Sequence, residues 1–285
     1  MIESISPIER QFSAMLDAGL AQISTISPSE WAESKMILPK TGKFSYDQTP
    51  YMRRIADYFS PYDPCRIFAF MKGSQIGATE GGIIPPLLWM ACENPGPCYY
   101  MVGSPDLIES AVNRLDVAKK NAGVSDYFKD QTFRPRNQKT GDTNFRKDFA
   151  GGWIKIISAN NHKAIAQDPV QYLMLDDLDQ IKGYSTEAGS AVDLILVRTR
   201  SFKGLYKAAL ISTPLTKAGS LIEPAYLHGD QQRWMVECPN CHEAITWNWD
   251  FPDGNESHKP EVHRRLTAYR LRHERVAFFI LSGCK

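Results

Sequence analysis

The chain has 285 residues, with 33 Lys or Arg against 32 Asp or Glu, a net charge of +1 and 43% hydrophobic residues. That length and balance suit one large or two small globular domains. They exclude wholesale disorder, a fibrous repeat and a polyanion binder that works by bulk charge alone.

The opening residues, MIESISPIERQF, carry early acids and lack an apolar stretch, so no signal peptide is expected. No apolar run approaches the ~20 residues of a membrane span. Apolar residues at Phe12, Met15, Leu16 and Leu20 predict a helix over 8–23, and a second is predicted over 48–59. After Pro61 and Pro64 the pattern changes to RIFAFM (66–71), a dense apolar run that suits a strand buried on both faces. Similar runs recur at 98–103, 153–158, 170–175 and 207–212. Helical patterns lie between them at 79–90, 106–120 and 188–202, and the polar, basic stretch 132–148 reads as an exposed loop or hairpin. Strands alternating with helices predict an α/β fold, a mainly parallel central sheet with helices on both faces. Cys65, Cys92 and Cys98 sit in or beside apolar runs and are expected to be reduced core residues, while Cys284 says little.

Directly after the first buried strand comes Lys72-Gly73-Ser74-Gln75-Ile76-Gly77-Ala78-Thr79, followed by a helical pattern. Strand, glycine-bearing loop and helix form the context of a phosphate cradle, in which main-chain N–H groups and the helix start bind the anion. Gly77 and Thr79 match the usual pattern, but Ala78 occupies the lysine position and Lys72 the first glycine's. Lys72 is therefore the candidate for the missing ammonium. A surface lysine on a simple turn is the plain alternative.

The run VQYLML ends in Asp176-Asp177. An apolar strand closed by two carboxylates fits a Walker B strand of a P-loop NTPase. Asp176 would hold magnesium beside Thr79, and Asp177 would activate water. Acids that merely cap a following helix are the alternative. Ser212-Thr213-Pro214 ends the next strand, where a polar tip in a P-loop motor can sense the γ-phosphate.

Taken in order, these motifs resemble the large terminase subunit of tailed double-stranded DNA phages, in its lambda-like branch. MKGSQIGATE resembles the variant Walker A with its early lysine, YLMLDDLD the Walker B strand, and LVRTRSF with ALISTPL the stretch leading to the coupling motif. The resemblance implies that Gln48, within YDQTPYMRRIADYF, contacts adenine. It implies an ATP- and magnesium-dependent motor that packages DNA into a procapsid in the host cytoplasm, with double-stranded DNA, a small terminase subunit and a portal protein as partners. A homo-oligomer on the portal is part of that picture. It divides the chain into a helical extension (1–47), an ATPase domain (48–230) and a CxxC segment with a basic tail (231–285). The family's nuclease domain is expected beyond residue 285, so no nuclease residues are assigned. Asp177 stands where the family usually has Glu, and 160–170 lacks the expected arginines, leaving Arg198 and Arg200 as candidate cations, with surface arginines on a helix as the plainer reading.

Two further features remain. Cys238 and Cys241 form half of a zinc knuckle, to be completed by His242, His258 or His263, or else a reduced CxxC without a partner pair. Arg134, Arg136, Lys139, Arg146 and Lys147 form a basic cluster that could grip DNA phosphates, and five arginines crowd 263–275. Two other functions compete with the motor: a catalytically weak nucleotide-binding or assembly fragment, and a DNA-binding structural protein.

Overall fold

The computed structural model describes residues 25–39, 42–129, 145–181, 191–215, 219–237, 244–246 and 279–282. The predicted helix over 8–23 and the five-arginine stretch lie outside them.

Ser27 caps helix α1 (Pro28–Lys35). Its hydroxyl accepts the Glu30 N–H at 3.3 Å and its own N–H donates to the Glu30 carboxylate at 3.0 Å, a reciprocal capping box. The short strands β1 (Ile37–Leu38) and β2 (Gly42–Lys43) pair antiparallel. Helix α2 (Pro50–Asp57) then buries Tyr51, Met52, Ile55 and Ala56 on one face. Strand β3 (Ile67–Lys72) runs into the glycine-bearing loop 73–78, a π-helical turn (Thr79–Ile83) and helix α3 (Ile84–Glu93). Next come β4 (Pro97–Val102), α4 (Ile108–Asn121), β5 (Arg146–Phe149), β6 (Gly152–Ser158), α5 (His162–Ile165) and β7 (Tyr172–Asp176). The remaining elements are α6 (Ala191–Leu196), β8 (Lys207–Ser212), α7 (Ile222–Leu227), β9 (Gln232–Arg233), β10 (Met235–Glu237), β11 (Ala244–Thr246) and β12 (Phe279–Ser282).

The central sheet has the order β5-β6-β4-β7-β8-β3-β12-β9. Its middle five strands, β6 to β3, are parallel, and β5, β12 and β9 add antiparallel edges. Alternation along each strand divides the core between two faces. Phe68, Phe70, Cys98, Tyr100, Met174 and Ile211 join Trp31, Met52 and Trp89 on one face. Ala69, Tyr99, Met101, Leu173, Leu175 and Leu210 join Ile195 and Ile222 on the other. Both faces are covered, so the predicted α/β architecture is present. Chain order reverses about the middle of the sheet: β3 leads to β4 across two intervening strands, and β7 leads back to β8. Ligands in such sheets bind outside the carboxyl ends of the strands, where the order switches.

Sequence reading and structure differ in several places; of the helix predicted over 188–202, the described residues are α-helical over Ala191–Leu196 and 3₁₀ over Val197–Phe202. The end of the stretch predicted as an exposed loop or hairpin is strand β5, which forms a hairpin with β6, and it is not exposed: its residues alternate between half-buried and buried. Lys147 is buried there and donates to Asp116 at 3.0 Å, so it does not present its charge to DNA. Arg134, Arg136 and Lys139 lie outside the described residues. The predicted helix over 79–90 is broken into the π-turn and α3 because Pro85 and Pro86 have no N–H to donate. Ile84 N–H reaches back five residues to Thr79 O. The carbonyl of Gly81, which residue 85 would ordinarily serve, accepts instead from the buried Tyr46 hydroxyl at 2.9 Å. Burial raises the Tyr46 pKa well above its ordinary value, so it stays a donor.

Candidate nucleotide site

The loop after β3 makes two left-handed turns, at Gln75 (φ 56°) and Gly77 (φ 82°). Glycine suits the second; the first holds a side-chain-bearing residue in a sparsely populated conformation. The neighbouring segment steadies the loop. Tyr51 Oη donates to Ile76 O at 3.1 Å, and the exposed Gln48 lies three residues before it. Gly81 and Gly82 let the turn lie against α2, where an added Cβ would come 3.1 Å from Met52 Cβ and 3.0 Å from Ile55 Cγ2.

Three adjacent strands bring their carboxyl ends to this loop. Lys72 Nζ, at the end of β3, donates to Thr213 Oγ1 at 3.3 Å, just past β8, and lies 3.8 Å from Asp177 Oδ1, just past β7. Thr79 Oγ1 donates to Asp176 Oδ2 at 3.1 Å. Burial pushes the Asp176 carboxyl up to about 6, helped by the like charge of Asp177, while Lys72 and the Thr79 bond pull the other way. Two carboxylates crowding one lysine, with a threonine hydroxyl in contact, form a hard oxygen donor set that a magnesium ion suits. Ala78 is buried and brings no charge.

Asp177 itself adopts a left-handed conformation (φ 56°, ψ 48°). The tip of β4 closes against it. Gly103 N–H donates to Asp176 O at 3.0 Å, and a methyl group on Gly103 would collide with the Asp177 carbonyl. Asn160 Nδ2, past the end of β6, donates to Gly103 O at 2.9 Å. The backbone that aims the Asp177 carboxylate is therefore held from the tip of β4, which Asn160 steadies in turn.

The family model for the ATPase domain of the phage terminase large subunit gpA matches residues 39–269. The chain belongs to that family. No curated protein matches the sequence. Among solved structures, the HK97 bacteriophage large terminase is similar at 13% identity with a TM-score of 0.51, over 69% of this chain and 39% of that one. An ATPase-domain variant of the Thermus phage P74-26 large terminase is similar at 16% identity with a TM-score of 0.48, over 87% of this chain and 93% of that one. At 13% identity the HK97 likeness shows the fold, and this terminase chain spans about two fifths of that protein's length.

Of the residues singled out from the terminase sequence, Lys72, Thr79, Asp176, Asp177 and Thr213 lie together. Gln48 sits on the segment beside the loop. Ser212 does not join Lys72: its buried hydroxyl accepts from Asp179 N–H at 2.9 Å and donates to Thr213 O at 3.2 Å. Arg198 is far from the carboxylates. Its carbonyl accepts from Val170 N–H and its guanidinium donates to Ala166 O at 3.3 Å, which places it before the amino end of β7. Cys238, Cys241, His242, His258 and His263 lie outside the described residues, and no metal-holding cluster of three or more His, Cys, Asp or Glu occurs among those described. No described helix is long and apolar enough to cross a membrane. Sequence reasoning missed Tyr51, Gly103, Asn160 and Asp179. It also missed Arg114, which pairs at 3.8 Å with Glu80 beside Thr79. Only Asp179 left a readable signal, as the third acid of LDDLD.

Proposed function

We propose that this terminase domain hydrolyses ATP to drive double-stranded DNA into a procapsid. The convergence of Lys72, Thr79, Asp176, Asp177 and Thr213 at three strand ends supports the reading most directly. Residues 73–79 supply the phosphate cradle, and Lys72 supplies its positive side chain in place of the usual later lysine. Thr79 and Asp176 would hold magnesium, which would supply positive charge against the charge that develops in phosphoryl transfer. Asp177 orients the attacking water and takes its proton. Thr213, in contact with Lys72, senses the state of the phosphates, and Gln48 contacts the base.

The wider reading divides the chain into a helical extension at 1–47, an ATPase domain at 48–230 and a CxxC segment from 231, while the family match itself runs over 39–269. It includes action in the host cytoplasm with a small terminase subunit and a portal, as a homo-oligomer on that portal.

The deciding experiment is magnesium-dependent ATP hydrolysis by the purified chain, with and without duplex DNA. Asp177→Asn should lower kcat by about 100-fold or more while nucleotide binding persists. An unchanged rate would overturn the role given to Asp177. Tight ATP binding without turnover in the natural sequence would favour a nucleotide-binding assembly fragment, a reading supported by the engagement of Asp177 with Lys72.

A further inference from the structure

We infer that Asp179 is a positioning residue that ties the turn carrying Asp177 to the segment carrying Thr213, so that the two respond to nucleotide as one unit. The inference rests on the ATPase reading above.

Asp179 lies in the 3₁₀ turn Leu178–Gln180, two residues beyond Asp177, and only 8% of it is exposed. Its carboxylate braces the chain after β8 at two separate points. One oxygen, Oδ2, accepts Leu215 N–H at 3.1 Å; the other, Oδ1, accepts Leu221 N–H and Ile222 N–H, each at 2.9 Å. The main chain of Asp179 is tied in the opposite direction, its N–H donating to Ser212 Oγ at 2.9 Å. The turn thus grips the chain immediately before Thr213, just after it and again at the start of α7.

Bonds from main-chain donors to an ionised acceptor are stronger than neutral ones. Pulling the segment off Asp179 would leave a carboxylate bare in an apolar interior, which is costly. The segment therefore cannot shift relative to the turn without a large penalty, whereas the contact between Thr213 and Lys72 is a single bond of 3.3 Å. A triphosphate that draws Lys72 away breaks the weak contact and leaves the strong one. The released segment then moves together with the Asp177 turn, carrying α7, whose Ile222 is buried against the second face of the sheet.

The test compares the natural chain with Asp179→Asn and Ser212→Ala. Four quantities are measured: kcat and KM for ATP, affinity for a non-hydrolysable ATP analogue with magnesium, and amide hydrogen exchange at Leu215, Leu221 and Ile222 with and without that analogue. Asp179→Asn keeps the shape but sets an amide donor against one group of N–H donors. Its kcat should fall about 10- to 100-fold, with KM and analogue affinity within about threefold. The analogue-induced change in exchange at the three amides, present in the natural chain, should vanish. A brace that is merely structural predicts a lower melting temperature with unchanged kcat per folded molecule and an unchanged exchange response, and that result overturns the inference. If Asp179→Asn does not fold, Ser212→Ala probes the same tie from its other side with the carboxylate intact, and an unaltered kcat and exchange response there overturn it equally. A natural chain that neither binds nor hydrolyses nucleotide sinks the ATPase reading and the tie together. An active natural chain whose variants match it sinks the tie alone.

Discussion

Two lysines stand at opposite ends of one pair of neighbouring parallel strands, and they are held very differently. Lys207, at the start of β8, is 2% exposed and donates to the carbonyls of Asp63 and Cys65 at 2.6 and 2.7 Å, strapping the turn that enters β3. Lys72, at the other end of β3, has only the 3.3 Å bond to Thr213 and the 3.8 Å approach to Asp177 among its described contacts. Burial alone does not distinguish a structural cation from a working one. Short bonds to fixed carbonyls make Lys207 part of the scaffold. Under the reading proposed above, the longer contacts of Lys72 with two side chains are ones that an arriving anion would replace.

The sharpest way to break this contrast is to remove each ammonium in turn. Lys72→Ala should lower kcat/KM for ATP by about 100- to 1000-fold, as expected for a donor aimed at the transferring phosphoryl. Its melting temperature in the absence of nucleotide should change little, and calorimetry beside a hydrolysis assay reads both. Lys207→Met should do the reverse. Two carbonyls lose a partner, so urea denaturation should show a loss of about 2–3 kcal/mol, with kcat per folded molecule unchanged. If both substitutions depress turnover equally, the division into working and scaffold lysine is wrong. The smallest effect is expected at Tyr46→Phe, which removes only the donor to Gly81 O and should cost about 1–2 kcal/mol in the same denaturation experiment.

The central strands were legible because burial on both faces writes them as continuous apolar runs, so RIFAFM, CYYMVG and KAALIS were placed to within a residue or so of β3, β4 and β8. Strand β5 was hidden by its composition. Arg-Lys-Asp-Phe carries three charges, and the buried Lys147 meets Asp116, on a helix well away in sequence. That the loop after β3 and the Asp176-Asp177 pair lie together could be read because their motifs are local and ordered along the chain. Gly103 could not, because its lack of a side chain matters only against the Asp177 carbonyl from another strand. Asn160 was silent for the same reason. The break in the helix after Thr79 was written in Pro85 and Pro86, but the partner that answers it, Tyr46, lies 35 residues earlier.

That break joins two distant positions into one unit of inheritance. Prolines at 85 and 86 leave the Gly81 carbonyl without a helical donor in either the four- or the five-residue register, and among the described residues the phenol of Tyr46 reaches it; an N–H restored at 85 could return that acceptor to the helix ladder. A descendant that replaced Pro85 with an ordinary residue would gain an intrahelical bond, and its Tyr46 hydroxyl would then need a new partner in a sealed interior. Substitutions at the two sites should therefore arise in pairs, tyrosine with proline and phenylalanine with a residue bearing an N–H.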